Sequence, residues 1–88
     1  MKISIDCKEI SERRQLHEIL AAALDFPEYY GKNLDALFDC LTELPEALEL
    51  TLENWAAAEK ALGDYGLAAR QTFENAMEEN PELTVRFA

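Results

Sequence analysis

Asp35 and Asp39 stand four residues apart in the segment Asn-Leu-Asp-Ala-Leu-Phe-Asp-Cys-Leu, which follows directly on Tyr29-Tyr30-Gly31. Closely spaced carboxylates can act as general acid and base, bind a hard cation, or receive a basic partner. Asn33 suits a helix N-cap with Leu34 as the first helical residue. A turn of about 100° per residue then places Asp35, Asp39 and Thr42 on one face and Leu34, Leu37 and Leu41 on the opposite one. This spacing is distinctive of neither acid–base work nor metal ligation, and carboxylates on an exposed helix face ordinarily remain solvated. The aromatic neighbours favour the third use. Tyr29 and Tyr30 precede the helix in a loop, Gly31 gives that loop conformational freedom, and Phe38 lies between the apolar stripe and the aspartates. Rigid aromatic area beside charged groups is what a protein-binding hot spot requires. At least one of Tyr30 and Phe38 is expected to cover the edge of the core.

Other chemistry finds little support. His17 is the lone histidine, its neighbour Glu18 faces elsewhere on a helix, and it reads as a structural or surface residue. No nucleophile signature accompanies it. Gly31, Gly63 and Gly66 are too scattered to form a phosphate-binding loop and read as turn or cap residues. Cys7 and Cys40 fall within apolar patterning and read as reduced, buried thiols. Neither a cofactor nor a metal is expected.

The elements that must hold this segment follow from periodicity. Ile3, Ile5 and Cys7 alternate with Lys2, Ser4 and Asp6 as a half-buried strand. Ser11 offers a cap for a helix over about residues 12 to 25, carried by Leu16, Ile19, Leu20, Ala23 and Leu24 and closed by Pro27. After the helix that starts at Leu34, Pro45 breaks the chain, and Leu48, Leu50 and Leu52 alternate as a second strand. Asn54 can cap a short alanine-rich helix that Gly63 ends; Leu67, Phe73 and Met77 mark a fourth helix stopping before Pro81. Leu83, Val85 and Phe87 form a third strand. Two helices between successive strands suit parallel, right-handed crossovers better than hairpins, whose turns are far shorter. Strands that alternate instead of running apolar throughout have one covered face. The expectation is a two-layer α/β fold, a three-stranded parallel sheet with about four helices, in one domain spanning residues 1–88.

The chain has 88 residues, and 18 acidic against 8 basic side chains give a formal charge of −10. Such a balance repels nucleic acid and anionic membranes and either attracts a basic partner or serves only to keep a small domain soluble. No apolar stretch approaches the ~18 residues of a membrane span and no basic-then-apolar leader opens the chain, so a cytoplasmic location is the default expectation.

Residues 26 to 41, Phe-Pro-Glu-Tyr-Tyr-Gly-Lys-Asn-Leu-Asp-Ala-Leu-Phe-Asp-Cys-Leu, closely resemble the hallmark segment of the barstar family, Leu-Pro-Glu-Tyr-Tyr-Gly-x-Asn-Leu-Asp-Ala-Leu-Trp-Asp-Cys-Leu. A weaker likeness runs along the whole chain, including Phe73 to Ala76. The resemblance implies a barstar-like fold and an intracellular immunity protein that inhibits a basic extracellular ribonuclease, barnase-type or related, and does not catalyse. The free chain is expected to be a monomer. By that resemblance Asp39 enters the enzyme's phosphate site, Asp35 meets an arginine, Tyr29 packs on an active-site histidine, and Gly31 and Asn33 shape the loop. Tyr30, Phe38, Thr42, Glu43, Leu44 and Glu79 complete the implied contact set.

Departures cluster at its rim. Phe38 replaces the pattern's tryptophan, Glu43-Leu44 replaces Gly-Trp, and Asn75 falls where the pattern has glutamate, with Glu74 and Glu78 close enough in sequence to compensate. Two other readings stand beside inhibition: an acidic adaptor binding a partner that is not a nuclease, and a small carboxylate-dependent hydrolase, which lacks a nucleophile or a metal set.

Overall fold

The computed structural model describes residues 1–88. In chain order the elements are β1 (Lys2–Asp6), α1 (Arg13–Leu24), α2 (Leu34–Thr42), β2 (Leu48–Glu53), α3 (Trp55–Leu62), α4 (Asp64–Glu79) and β3 (Leu83–Phe87). The strands form one parallel sheet in the order β1-β2-β3. Register aligns Ile5 with Leu52, Leu50 with Val85 and Leu48 with Leu83, so one face is aliphatic. Ser4, Thr51 and Arg86 line up on the other, which no helix covers. The two-layer α/β expectation therefore holds, because period-2 alternation dictates a single buried face.

Beneath that face lies one apolar cluster that includes Leu16 and Leu20 of α1, Leu37 and Leu41 of α2, and Ala69, Phe73 and Ala76 of α4. Trp55, Phe73 and Phe87 pack edge to face or tilted at centroid distances of 5.6 to 6.0 Å and close the α3–α4–β3 corner. Gly66 lies inside α4, where a β-carbon would stand 2.6 Å from the Glu59 carbonyl oxygen. It serves the close approach of α3 to α4 rather than a turn.

Several local expectations change. Ser11 is not the cap of α1: Glu12 occupies that position, and the Gln15 side-chain oxygen reaches back to accept from the Ser11 and Glu12 backbone N–H groups at 2.9 and 3.0 Å. Asn54 adopts the left-handed conformation before α3 and makes no side-chain cap; its amide instead donates to Asp6 at 2.9 Å. That bond, with the Lys8 backbone N–H, holds the Asp6 carboxyl below its ordinary range. Leu67 is 58% exposed because the inward face of α4 runs through Gly66, Ala69, Phe73 and Ala76. Cys7 is buried, and desolvation pushes its thiol up to about 11; Cys40 is half-buried, and both cysteines are free.

Candidate partner-binding surface

Asp25 ends α1 in the left-handed conformation, and the chain then turns through Phe26 to Asn33 into α2. Within that loop the Tyr30 N–H donates to the Pro27 carbonyl at 2.9 Å, and the two adjacent tyrosines differ sharply in burial. Tyr29 is 88% exposed and Tyr30 only 7%. The Tyr30 ring packs on Phe26 with centroids 4.8 Å apart. Its hydroxyl meets His17 Nδ1 at 2.6 Å, while His17 Nε2 meets the Tyr65 hydroxyl at 2.6 Å.

A neutral imidazole has one N–H and one bare nitrogen, so one tyrosine donates to the ring and the other accepts from it. This chain of hydrogen bonds ties the loop to α1 and α4. Burial, and secondarily the charge of Lys32, hold His17 below its usual value and keep it neutral. Burial raises the Tyr30 phenol further above its ordinary range. Tyr30 is thus an anchor of the loop and Tyr29 its free face. His17 is structural, and Tyr65, which the sequence did not single out, completes its support.

Asn33 caps α2 by accepting from the Ala36 N–H at 2.7 Å and donates to the Gly31 carbonyl at 3.3 Å. Gly31 is needed for space rather than for an unusual φ: a β-carbon there would press on the Asn33 amide nitrogen at 3.1 Å and on Ala36 Cβ at 3.4 Å. The positive φ of the loop belongs to Lys32, at 52°.

Leu37 and Leu41 of α2 are buried, Phe38 is half-buried against the core, and Asp35 and Asp39 project into solvent. Thr42 turns its hydroxyl inward, donating to the Phe38 and Asp39 carbonyls at 3.0 and 3.1 Å. Exposed Glu43 follows as the C-cap, and no basic residue occupies the last turn. Asp35, Asp39 and Glu43 form no ion pair within the chain, whose pairs join Lys2 to Glu49, Lys32 to Glu18, and Arg70 to Glu59 and Glu74.

The two flanks of α2 differ. Asn33 and Asp35 border a shallow recess shared with Arg13, Lys32 and Tyr65, and the Arg13 guanidinium stacks 4.4 Å from the Tyr65 ring centre. On the other flank Tyr29, Tyr30, Gly31, Asp39, Glu43 and Leu44 line an open groove of about 730 Å³ with the end of α1 and the starts of β1 and β2. Cys40 lies in this groove; burial chiefly, and the Glu43 and Asp39 carboxylates with it, raise its thiol above the ordinary range.

Of the rim departures, Asn75 accepts from Gln71, and Glu74 lies 3.9 Å from Arg70. Glu79 is exposed in the last turn of α4 and borders neither recess. Asn80, beside it, donates to the Leu41 carbonyl at 3.0 Å and ties that end of α4 to α2.

Residues 1–88 match the family model described as Barstar (barnase inhibitor). The chain belongs to the barstar family. A Bacillus subtilis (strain 168) protein named "Putative ribonuclease inhibitor YrdF" is 43% identical over 81 residues, covering 89% of this chain and 87% of that one. Membership in the barstar family points to ribonuclease inhibition in general and to an inhibitor instead of an enzyme. No helix is long and apolar enough to cross a membrane.

Proposed function

We propose that this barstar-family chain is a cytoplasmic immunity protein that inhibits a basic, secreted, barnase-type ribonuclease by inserting the surface from Tyr29 to Leu44 into the enzyme's active site. One observation carries the reading: Asp35, Asp39 and Glu43 are exposed beside an 88%-exposed Tyr29, and none has an internal counter-ion. A ribonuclease must present cations to phosphate, and a carboxylate can occupy that place through charge-assisted hydrogen bonds. Asp39, at the centre, takes the phosphate-binding cations; Asp35, in the first turn of α2, takes an arginine; Tyr29 packs on an active-site imidazole. Gly31, Asn33 and Tyr30 set the loop, and Phe38, Thr42, Glu43, Leu44 and Glu79 form the rim. Inhibition is occlusion, with no bond made or broken. A charge of −10 speeds encounter with a basic enzyme and keeps the free chain monomeric.

Asp39→Ala tests the assignment. Removing one partner of a desolvated ion pair costs about 3–5 kcal/mol, so inhibition of barnase weakens at least a hundredfold while the far-ultraviolet spectrum and native fold are retained. Normal inhibition by that variant would overturn the site.

A further inference from the structure

The groove beside Asp39 has a composition that the Asp35 flank lacks. Ile3, Leu24, Phe26, Leu44 and Leu48 supply apolar walls and Asp25, Asp39, Glu43 and Glu46 contribute carboxylates; no lysine or arginine lines it, and the one cation among its lining residues, the Met1 ammonium, donates to the Ala47 carbonyl at 3.1 Å. The recess on the opposite flank already contains Arg13 and Lys32. Tyr29, Gly31, Asp39, Glu43 and Leu44 border the groove and also belong to the inhibitory surface, so a partner seated on Asp39 lies over its mouth.

We propose that the groove receives an apolar side chain of the ribonuclease that stands next to a lysine or arginine. The inference rests on the ribonuclease reading of the same surface and adds a second, apolar anchor beside the electrostatic one. An occupant without charge would desolvate carboxylates and offer them nothing, at a cost per group larger than the apolar gain. A cation alone would leave the Leu, Ile and Phe surface wet. A second copy of this chain would bring its own charge of −10 against the same carboxylates. An aliphatic or aromatic residue flanked by a cation satisfies both parts. At about 730 Å³ the groove is large enough for an aromatic ring, the side chain most often found as an interface anchor.

Ala23 is exposed on α1, lines the groove and lies outside the inhibitory contact set, so Ala23→Trp fills the space without replacing a charged residue. Binding of barnase is measured for the parent and Ala23→Trp at two salt concentrations, with the Ile3, Leu24 and Leu48 methyl resonances followed by NMR in the parent. The expected result is at least about a tenfold rise in Kd through faster dissociation, with an unchanged salt dependence, together with methyl shifts on binding. An unchanged Kd overturns the proposal, and so do unshifted methyls in the parent complex, a readout that survives if Ala23→Trp fails to fold. Parent self-association abolished by Ala23→Trp would also overturn it, by assigning the groove to a second copy. A parent that does not bind barnase overturns the barnase-type reading and the groove with it; binding with a silent groove overturns the groove alone.

Discussion

The two ends of this molecule treat their aromatic and charged groups in opposite ways. At the α3–α4–β3 corner Trp55, Phe73 and Phe87 pack on one another, and Arg70 lies 4.5 Å from the Phe87 ring centre. The same arginine reaches Glu59 at 3.5 Å and Glu74 at 3.9 Å, and the Trp55 indole donates to Glu59 at 2.9 Å. At the loop–α2 end Tyr29 stands in solvent and Asp35, Asp39 and Glu43 have no cation of their own. Groups satisfied within the chain contribute to folding; groups left open are available to a partner. One residue chemistry, aromatic beside carboxylate, is thus closed within the chain at one end and left open to solvent at the other.

The largest test of that contrast is Phe73→Ala. Phe73 is fully buried at the centre of the aromatic corner, and its removal costs about 3–5 kcal/mol, a large share of the ~5–15 kcal/mol that holds a domain of this size. Urea unfolding should show that loss, while the affinity of the molecules that remain folded is unchanged. A loss below about 1 kcal/mol would mean that the corner does not carry stability as this packing implies.

Between the two ends lies His17, which ties the loop before α2 to the core. Its neighbours are Tyr30 from the loop, Tyr65 from α4 with Arg13 stacked upon it, and Lys32 as the nearby cation. The folded state holds His17 below the ordinary value of 6.5, so below that pH the unfolded chain binds more protons. The stability contributed by neutral His17 is therefore complete above about pH 6.5 and is lost as pH falls through the lowered folded value, at no more than about 1.4 kcal/mol per pH unit. Urea unfolding between about pH 7.5 and 5 should show this slope, and His17→Gln should flatten it. An equal slope in His17→Gln would remove His17 as the link.

The sheet was legible because alternation of Leu48, Leu50 and Leu52, and of Leu83, Val85 and Phe87, has only one physical solution when two helices separate the strands. The carboxylate face of α2 was legible for the same reason: helical period places Asp35 and Asp39 opposite Leu37 and Leu41. Periodicity does not report how closely two helices approach, so it gives no sign that Gly66 packs α4 on α3 or that Leu67, one of the apolar residues that mark α4, faces solvent. Nor does it decide which of two adjacent tyrosines points inward, since that depends on His17 and Tyr65, which are distant in the chain. Gly31 is needed for space and not for conformational freedom. Its lack of a β-carbon makes room for the capping amide of Asn33, a contact that exists only once the loop has folded. The apolar groove had no local signature because its walls come from segments scattered between Met1 and Leu48.

The smallest expected effect is also the sharpest, because its sign separates the two ends. Asp39 has Asp35 four residues before it and Glu43 four residues after it, and like charges at that spacing each cost an isolated helix about 0.2–0.5 kcal/mol. Asp39 and Glu43 also crowd the negative end of the helix dipole, where no basic residue compensates them. Asp39→Asn removes the central charge while keeping size and polarity. It should therefore raise stability by about 0.5–1 kcal/mol and the melting temperature by roughly 2–8 °C. Thermal unfolding followed by circular dichroism checks the sign, and added salt should shrink the gain because the charges are exposed. An Asp39→Asn protein that melts lower than the parent would mean that the carboxylate supports the fold, and the two ends would no longer differ in kind. A protein that melts higher and binds its ribonuclease more weakly would place the cost of Asp39 in the free chain and its return in the complex.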